Sequence, residues 1–164
     1  MILVSACFLG HKQRYDGGSN PHGLLLLYNA CKQFMPICPE CLAGMSVPRP
    51  PAEIVGGTGC EVIAGQASVK NKRGESVTES FCQGAAAVRK IAEENKVKYA
   101  ILKENSPSCG VHEIYDGAFS GQKIHGQGVC AALLAAAGVT LYSEKDLSPD
   151  LLEKILNEDA AGNI

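Results

Sequence analysis

Apolar residues in this chain fall into short unbroken blocks separated by polar, glycine-rich and proline-rich stretches. Met1–Ala6 reads MILVSA, a near-continuous run rich in β-formers, which is the pattern of a strand buried on both faces. Pro36-Ile37-Cys38, stopped by Pro39, predicts a second short strand, and Tyr99–Lys103 and Val139–Tyr142 predict two more. Longer blocks with helical composition lie between them. Leu24–Phe34 is one. A second starts at Thr78 as a cap and runs to about Asn95, with Phe81, Ala85, Val88, Ile91 and Ala92 recurring at helical spacing. Val129–Ala137 is alanine-rich and closed by Gly138, and Ser148-Pro149 opens a terminal helix through Leu156.

The intervals are equally informative. Residues 44–59 combine Pro48, Pro50 and Pro51 with Gly44, Gly56, Gly57 and Gly59, a density that predicts no regular element. Glu61–Val77 reads as a polar hairpin turning near Asn71-Lys72-Arg73-Gly74, and Gly117–Gly128 as a glycine-rich stretch. The order is strand, helix, strand, insertion, helix, strand, helix, strand, helix. It predicts an α/β fold: a Rossmann-like three-layer sandwich with a mostly parallel sheet and a small hairpin insertion. The expected organisation is one unit over 1–164, with the insertion at about 44–77. Ligands of such sheets sit outside the carboxyl ends of the strands.

Composition narrows the function classes. At 164 residues, 46% hydrophobic and 20% charged, the chain can bury a core without covalent staples. Its formal net charge of −2 gives no general attraction to polynucleotides. No run approaches the roughly 18 apolar residues of a membrane span. The first apolar run lacks the basic start of a secretion signal. A cytoplasmic location without membrane partners is therefore expected, and there thiols stay reduced. The eight cysteines then call for metal, catalysis or plain burial.

Three of them, Cys7, Cys38 and Cys109, stand where a predicted strand hands over to a loop beside Gly or Pro. In a parallel sheet those handovers share one edge, so thiols far apart in sequence can converge. Thiolates select soft metals and iron–sulfur clusters. The bland alternative is burial, which suits Cys31, Cys82 and Cys130 in predicted helices, and Cys60 in the insertion. Cys38-Pro39-Glu40-Cys41 also offers a C-x-x-C pair, which would make the chain a dithiol oxidoreductase. Against that, Leu42-Ala43-Gly44 leaves little room for the helix such a pair normally opens, and no second pair completes a zinc site.

Five ordered motifs carry a resemblance: Val4-Ser5-Ala6-Cys7-Phe8-Leu9-Gly10 with Arg14-Tyr15-Asp16-Gly17; Ile37-Cys38-Pro39-Glu40; Pro48-Arg49-Pro50-Pro51-Ala52-Glu53-Ile54; Lys103-Glu104-Asn105-Ser106-Pro107-Ser108-Cys109-Gly110; and Ile114-Tyr115-Asp116-Gly117. Over about residues 1–145 the chain resembles the thiouracil desulfidase family. The resemblance implies a [4Fe–4S] cluster on three cysteines, which map onto Cys7, Cys38 and Cys109, with one iron open. It implies hydrolytic, non-redox removal of sulfur from a thiolated pyrimidine base or nucleotide, with release of sulfide and no need of external electrons. One departure is Gln13, where relatives commonly carry a cysteine; with three ligands sufficient, it is harmless. The expected partner is then a small-molecule thiolated nucleobase or nucleotide.

Within that expectation, Glu40 lies two residues after a ligand and is the candidate general base and acid. Ser106, favoured by the resemblance, and Ser108 are candidates to orient water or relay a proton; the alternative is that they cap turns. Arg14, Asp16 and Arg49 are secondary substrate-binding candidates, for a phosphate or for the charge of a cluster, and with Glu53 they have a purely structural alternative as ion pairs. A non-catalytic iron–sulfur sensor is the rival class. It predicts that Glu40 is dispensable.

Overall fold

The computed structural model describes residues 1–162; Asn163 and Ile164, the end of the expected 1–164 unit, lie outside the described residues. Strand β1 (Ile2–Ser5) is the centre of the molecule, with Ile2, Leu3 and Val4 fully buried. Burying such a side chain is worth roughly 1.5–3 kcal/mol, so this run can only be an interior strand. It pairs in parallel on one side with β2 (Phe34–Ile37), in register Ile2↔Phe34 to Ser5↔Ile37. On the other side it pairs in parallel with β5 (Tyr99–Leu102), which in turn pairs in parallel with β8 (Thr140–Ser143). The sheet order is therefore β2-β1-β5-β8.

The two-residue period of the strands decides the layers. Leu3, Ala100 and Leu102 face α4 (Thr78–Glu94) and α5 (Val129–Ala136), meeting Phe81, Ala85, Val88 and Leu134. Ile2, Val4 and Ile101 face the other way, toward α1 (Gly23–Tyr28) and α6 (Pro149–Ala161), meeting Leu25, Leu152, Ile155 and Leu156. This is the predicted α/β sandwich, a parallel sheet with a helical layer on each face. Among the described residues, no helix is long and apolar enough to cross a membrane.

Several boundaries differ from the sequence expectation. The helix expected over Leu24–Phe34 ends at Tyr28; a 3-10 turn over Asn29–Cys31 follows, Lys32 takes a left-handed φ of 55°, and Phe34 pairs with Ile2 instead. The stretch 44–59 does hold a strand, β3 (Ala52–Val55), because the prolines stop at Pro51 and the next four residues all keep their N–H donors. Its partner is β4 (Ser68–Asn71), antiparallel, so the insertion is a two-stranded ribbon rather than the expected 61–77 hairpin. Residues expected in that hairpin instead form α3 (Gly59–Ile63), capped reciprocally by Thr58 and Glu61. The turn over 71–74 is where it was expected, with the Asn71 side-chain oxygen Oδ1 accepting from the N–H groups of Arg73 and Glu75, and one bridge, Lys70 with Ser76, follows it. A further ribbon was not foreseen: β6 (Glu113–Tyr115), just before the glycine-rich stretch, with β7 (Lys123–His125) inside it. Finally, Ser148 caps the last helix as expected, but the helix continues to Ala161 rather than stopping at Leu156.

Two glycines let backbones touch around the sheet's carboxyl edge. A Cβ on Gly84 of α4 would lie 2.2 Å from the carbonyl oxygen of Pro39, the first residue of α2 (Pro39–Leu42). A Cβ on Gly128 would lie 2.5 Å from the carbonyl carbon of Ser108. Gly84→Ala raises helix propensity by about 1 kcal/mol in isolation. Here overpacking, costing about 1–3 kcal/mol, should win. Urea unfolding is expected to show a lower midpoint for Gly84→Ala than for the native chain; a midpoint equal or higher would mean that α2 and α4 do not touch through their backbones.

Candidate active site

From β1 the chain crosses to β2 on one side, then passes back over β1 to build β5 and β8 on the other. The order therefore reverses beside β1, and a crevice opens at the carboxyl ends of the strands there. Each of the three strands nearest that point delivers one cysteine. Cys7 sits in a 3-10 turn, Ala6–Leu9, directly after β1. Cys38 is the residue before α2, with Pro39 in the first helical turn. Cys109 follows β5 at the end of a turn that starts at Ser106. All three line one cavity of about 540 Å³. Cys109 is buried and the other two are partly buried.

Glu40 and Ser106, which line the cavity, are joined by Ser108 behind them into one hydrogen-bonded chain. Ser108 is fully buried and its hydroxyl donates to Glu40 Oε1. A hydroxyl has one proton, so Ser106 Oγ, 3.1 Å away, must donate to Ser108. Ser106 Oγ in turn accepts from the N–H groups of Ser108 at 3.2 Å and Cys109 at 3.1 Å. Ser106 thus caps the turn that presents Cys109, the plain role weighed for it in the sequence, and also faces the cavity. Ser108 reaches the site only through Glu40 and its neighbours. The other carboxylate oxygen of Glu40 lies 3.4 Å from Cys38 Sγ and 3.9 Å from Arg49 Nη2.

Burial pushes the Cys38 and Cys109 thiols well above the usual range, and the negative charge of Glu40 adds to it. Burial raises Cys7 as well, opposed by the cations of Lys103 and Arg14. A thiolate ligand set forms here only with loss of these protons, so a bound group must bring compensating positive charge. Among the described residues, no three His, Cys, Asp or Glu side chains are grouped to hold a single metal ion. An all-sulfur donor set spread around a cavity of this size suits a polynuclear cluster, whose corners lie apart, and thiolate chemistry selects iron–sulfur over hard cations. The residues present therefore fit such a group.

Of the secondary candidates, Arg49 and Arg14 line the cavity and Asp16 does not. Arg49 is nearly buried and binds the Gln13 carbonyl at 3.1 Å and the Ser46 carbonyl at 3.3 Å, while its N–H donates to the Tyr15 carbonyl at 2.7 Å. It ties two loops together beside Glu40. Gln13 contributes through that carbonyl, which also lies 3.8 Å from Cys38 Sγ. Asp16 is exposed: one of its oxygens accepts from Gly18 N–H at 2.9 Å and the other pairs with Arg14 at 3.3 Å, so it can act on the cavity only by positioning Arg14. Cys41 lies in the one-turn helix α2 that Cys38 precedes, although the sequence left little room for a helix there.

Sequence reasoning gave no role to Glu104. It follows β5, is only 2% exposed, and lines the cavity. Its Oε1 accepts from the N–H groups of Val111 at 2.9 Å, His112 at 2.8 Å and Glu113 at 3.1 Å, so the loop carrying Cys109 is wrapped around one carboxylate oxygen. The signal was available: a carboxylate directly after a buried strand and before Asn-Ser-Pro is out of place unless it is bonded.

Known proteins match this chain in sequence and in fold. The family model described as 2-thiouracil desulfurase matches residues 2–146. The uncharacterized protein YbbK of Bacillus subtilis (strain 168) is 47% identical over 148 residues, covering 90% of this chain and 98% of YbbK. A solved structure of the [4Fe-4S]-dependent thiouracil desulfidase TudS superposes with a TM-score of 0.81 at 37% identity, over 94% of this chain and 96% of that one.

Burial alone would raise the Glu104 carboxyl, but the surrounding N–H donors outweigh it and hold the group below its ordinary value of 4.5. A depressed folded value stabilises the fold above the unfolded value, and that contribution is lost as pH falls through the folded one. Glu104→Gln should cost about 2 kcal/mol at neutral pH, the worth of charge-assisted bonds. It should also flatten the loss of stability below pH 4.5. Equal acid limbs for the two proteins in denaturant titrations would show that the carboxylate charge is not used.

Proposed function

The chain belongs to the 2-thiouracil desulfurase family, and from that membership we propose that it hydrolyses the carbon–sulfur bond of a thiolated pyrimidine base or nucleotide, with Cys7, Cys38 and Cys109 holding a [4Fe–4S] cluster. The observation that carries the reading is the convergence of these three thiols with the Glu40–Ser108 pair on one cavity. When bound, a cluster with one iron free of protein ligands supplies a Lewis acid that polarises the C=S group. The remaining work falls to the chain's own residues.

Glu40 acts as general base and then general acid. Ser108 holds Oε1, which leaves Oε2 directed toward Cys38 and available to a water molecule. The carboxylate takes a proton from water as the oxygen attacks the ring carbon, and returns it to the departing sulfur. One C=S bond breaks, one C=O bond forms and sulfide leaves, so no electron donor is consumed. Arg49 balances the carboxylate's charge from 3.9 Å. Ser106 fixes the Cys109 turn and supplies the outer end of the proton chain. The apolar wall from Pro39, Met45, Pro50 and Phe81 limits competing water.

Cys38 directly before α2 and Cys41 within it favour a dithiol oxidoreductase as the second reading. Anaerobically reconstituted protein separates these. The native protein should bleach the thione absorbance of 2- or 4-thiouracil and release sulfide. Glu40→Gln should lose about 10²- to 10⁴-fold in kcat while keeping its iron and sulfide content, and Cys41→Ser should remain active. Full turnover in Glu40→Gln would contradict the proposed acid–base role, and an iron-independent activity lost in Cys41→Ser would favour the dithiol.

A further inference from the structure

The chain has nine aromatic residues, five Tyr and four Phe, and four of them line the cavity: Tyr15, Phe81, Tyr115 and Phe119. Three have their faces engaged. The Arg14 guanidinium lies 5.9 Å from the Tyr15 ring centre, and the Lys123 ammonium 5.7 Å from that of Tyr115. Phe81 is packed into the core against α4's own sheet face. Among the described residues, Phe119 has no aromatic or cationic partner. It is half-buried and in the cavity wall.

Its backbone is the second observation. Phe119 has a φ of 54°, a left-handed conformation that bulky residues rarely adopt. Gly117 and Gly121 stand two residues to either side, so the loop already uses glycine where it needs positive φ. The conformation is enforced by Glu53 on β3, a buried carboxylate whose Oε1 accepts from Gly117 N–H at 3.0 Å and Phe119 N–H at 3.2 Å. A Cβ on Gly117 would lie 2.5 Å from the Ile54 carbonyl oxygen, so the loop is pressed onto β3 as well. Strain of this kind persists where the surroundings over-determine it, and it concentrates at ligand clamps.

We propose that Phe119 is the stacking platform for the flat thiolated ring, held in its strained pose by Glu53, so that the ring lies in the cavity shared by the three cysteines. This rests on the desulfidase reading for the identity of the ring. A planar heterocycle offers a π-face to stack and little else that is apolar, and an unpartnered phenyl ring matches it. Specificity then divides by chemistry: Phe119 recognises flatness, and the polar groups around Glu40 recognise the sulfur and the ring edge.

The test measures 2-thiouracil binding by titration calorimetry and steady-state desulfuration on the same reconstituted protein, for native, Phe119→Tyr, Phe119→Leu and Phe119→Gly. Loss of stacking should raise Kd and KM about tenfold in the Leu and Gly variants, with kcat nearly unchanged and Tyr close to native. Phe119→Gly should unfold no earlier than native, because it relieves the positive φ; the bulk-retaining Leu variant decides the question if it does unfold earlier. Native-like binding by Phe119→Leu, or a loss confined to kcat, overturns the proposal. A native protein that binds thiouracil but never turns it over overturns the desulfidase reading alone, since the Kd comparison still decides Phe119. A native protein that binds no thiopyrimidine overturns both.

Discussion

Parallel pairing of β1 with β2 on one side and β5 on the other is the constraint on which the site depends. Parallel strands end together, so the residues that follow them are gathered at one edge. Because β1 is apolar on both faces, it can occupy only the interior of the sheet, with a parallel neighbour on each side. That places Cys7, Cys38 and Cys109 around one cavity although the sequence separates them widely. The Ser5 hydroxyl extends the alignment past the ladder by accepting from the Lys103 N–H at 2.9 Å.

The second layer of organisation is polar. Among the described residues four carboxylates are buried, and three of them, Glu40, Glu53 and Glu104, line the cavity. Each has a distinct duty: Glu104 folds the Cys109 loop around itself, Glu53 pins the loop of Phe119, and Glu40 engages the serines and Cys38. A buried carboxylate is costly without donors. Glu53 and Glu104 take theirs from backbone N–H groups of a loop, in each case through Oε1. Glu40 takes its donors from side chains instead, the Ser108 hydroxyl on Oε1 and the Cys38 thiol on Oε2.

Energetics and chemistry meet in the close backbone contacts. Gly84 and Gly128 let α4 and the start of α5 lie directly against Pro39 and Ser108, the neighbours of Cys38 and Cys109. The helical layer therefore bears on the cysteine-bearing loops without intervening side chains. Interiors packed this densely transmit displacement rather than absorb it. Geometry set by the sheet edge is thereby kept from drifting.

The sequence by itself determined the four parallel strands, the long helices and the three cysteines at the strand ends, because apolar periodicity and strand termination are local properties. It also carried the motifs of the family, and with them Glu40 and Ser106. It misjudged the insertion: the pairing of Ala52–Val55 with Ser68–Asn71 joins segments separated by α3, and propensity cannot see a partner that distant. It gave no role to Glu104 or Phe119, since a carboxylate or a phenyl in a loop looks like any other until its partners are known. Only the tertiary structure decided that Ser108 serves Glu40 while Ser106 holds Cys109, and that Asp16 stays outside the cavity. The physical reason is the same throughout: which residues form a strand and which stand at its end follow from neighbours in sequence, whereas which hydroxyl meets which carboxylate follows from contacts between elements, and those exist only once the sheet has closed.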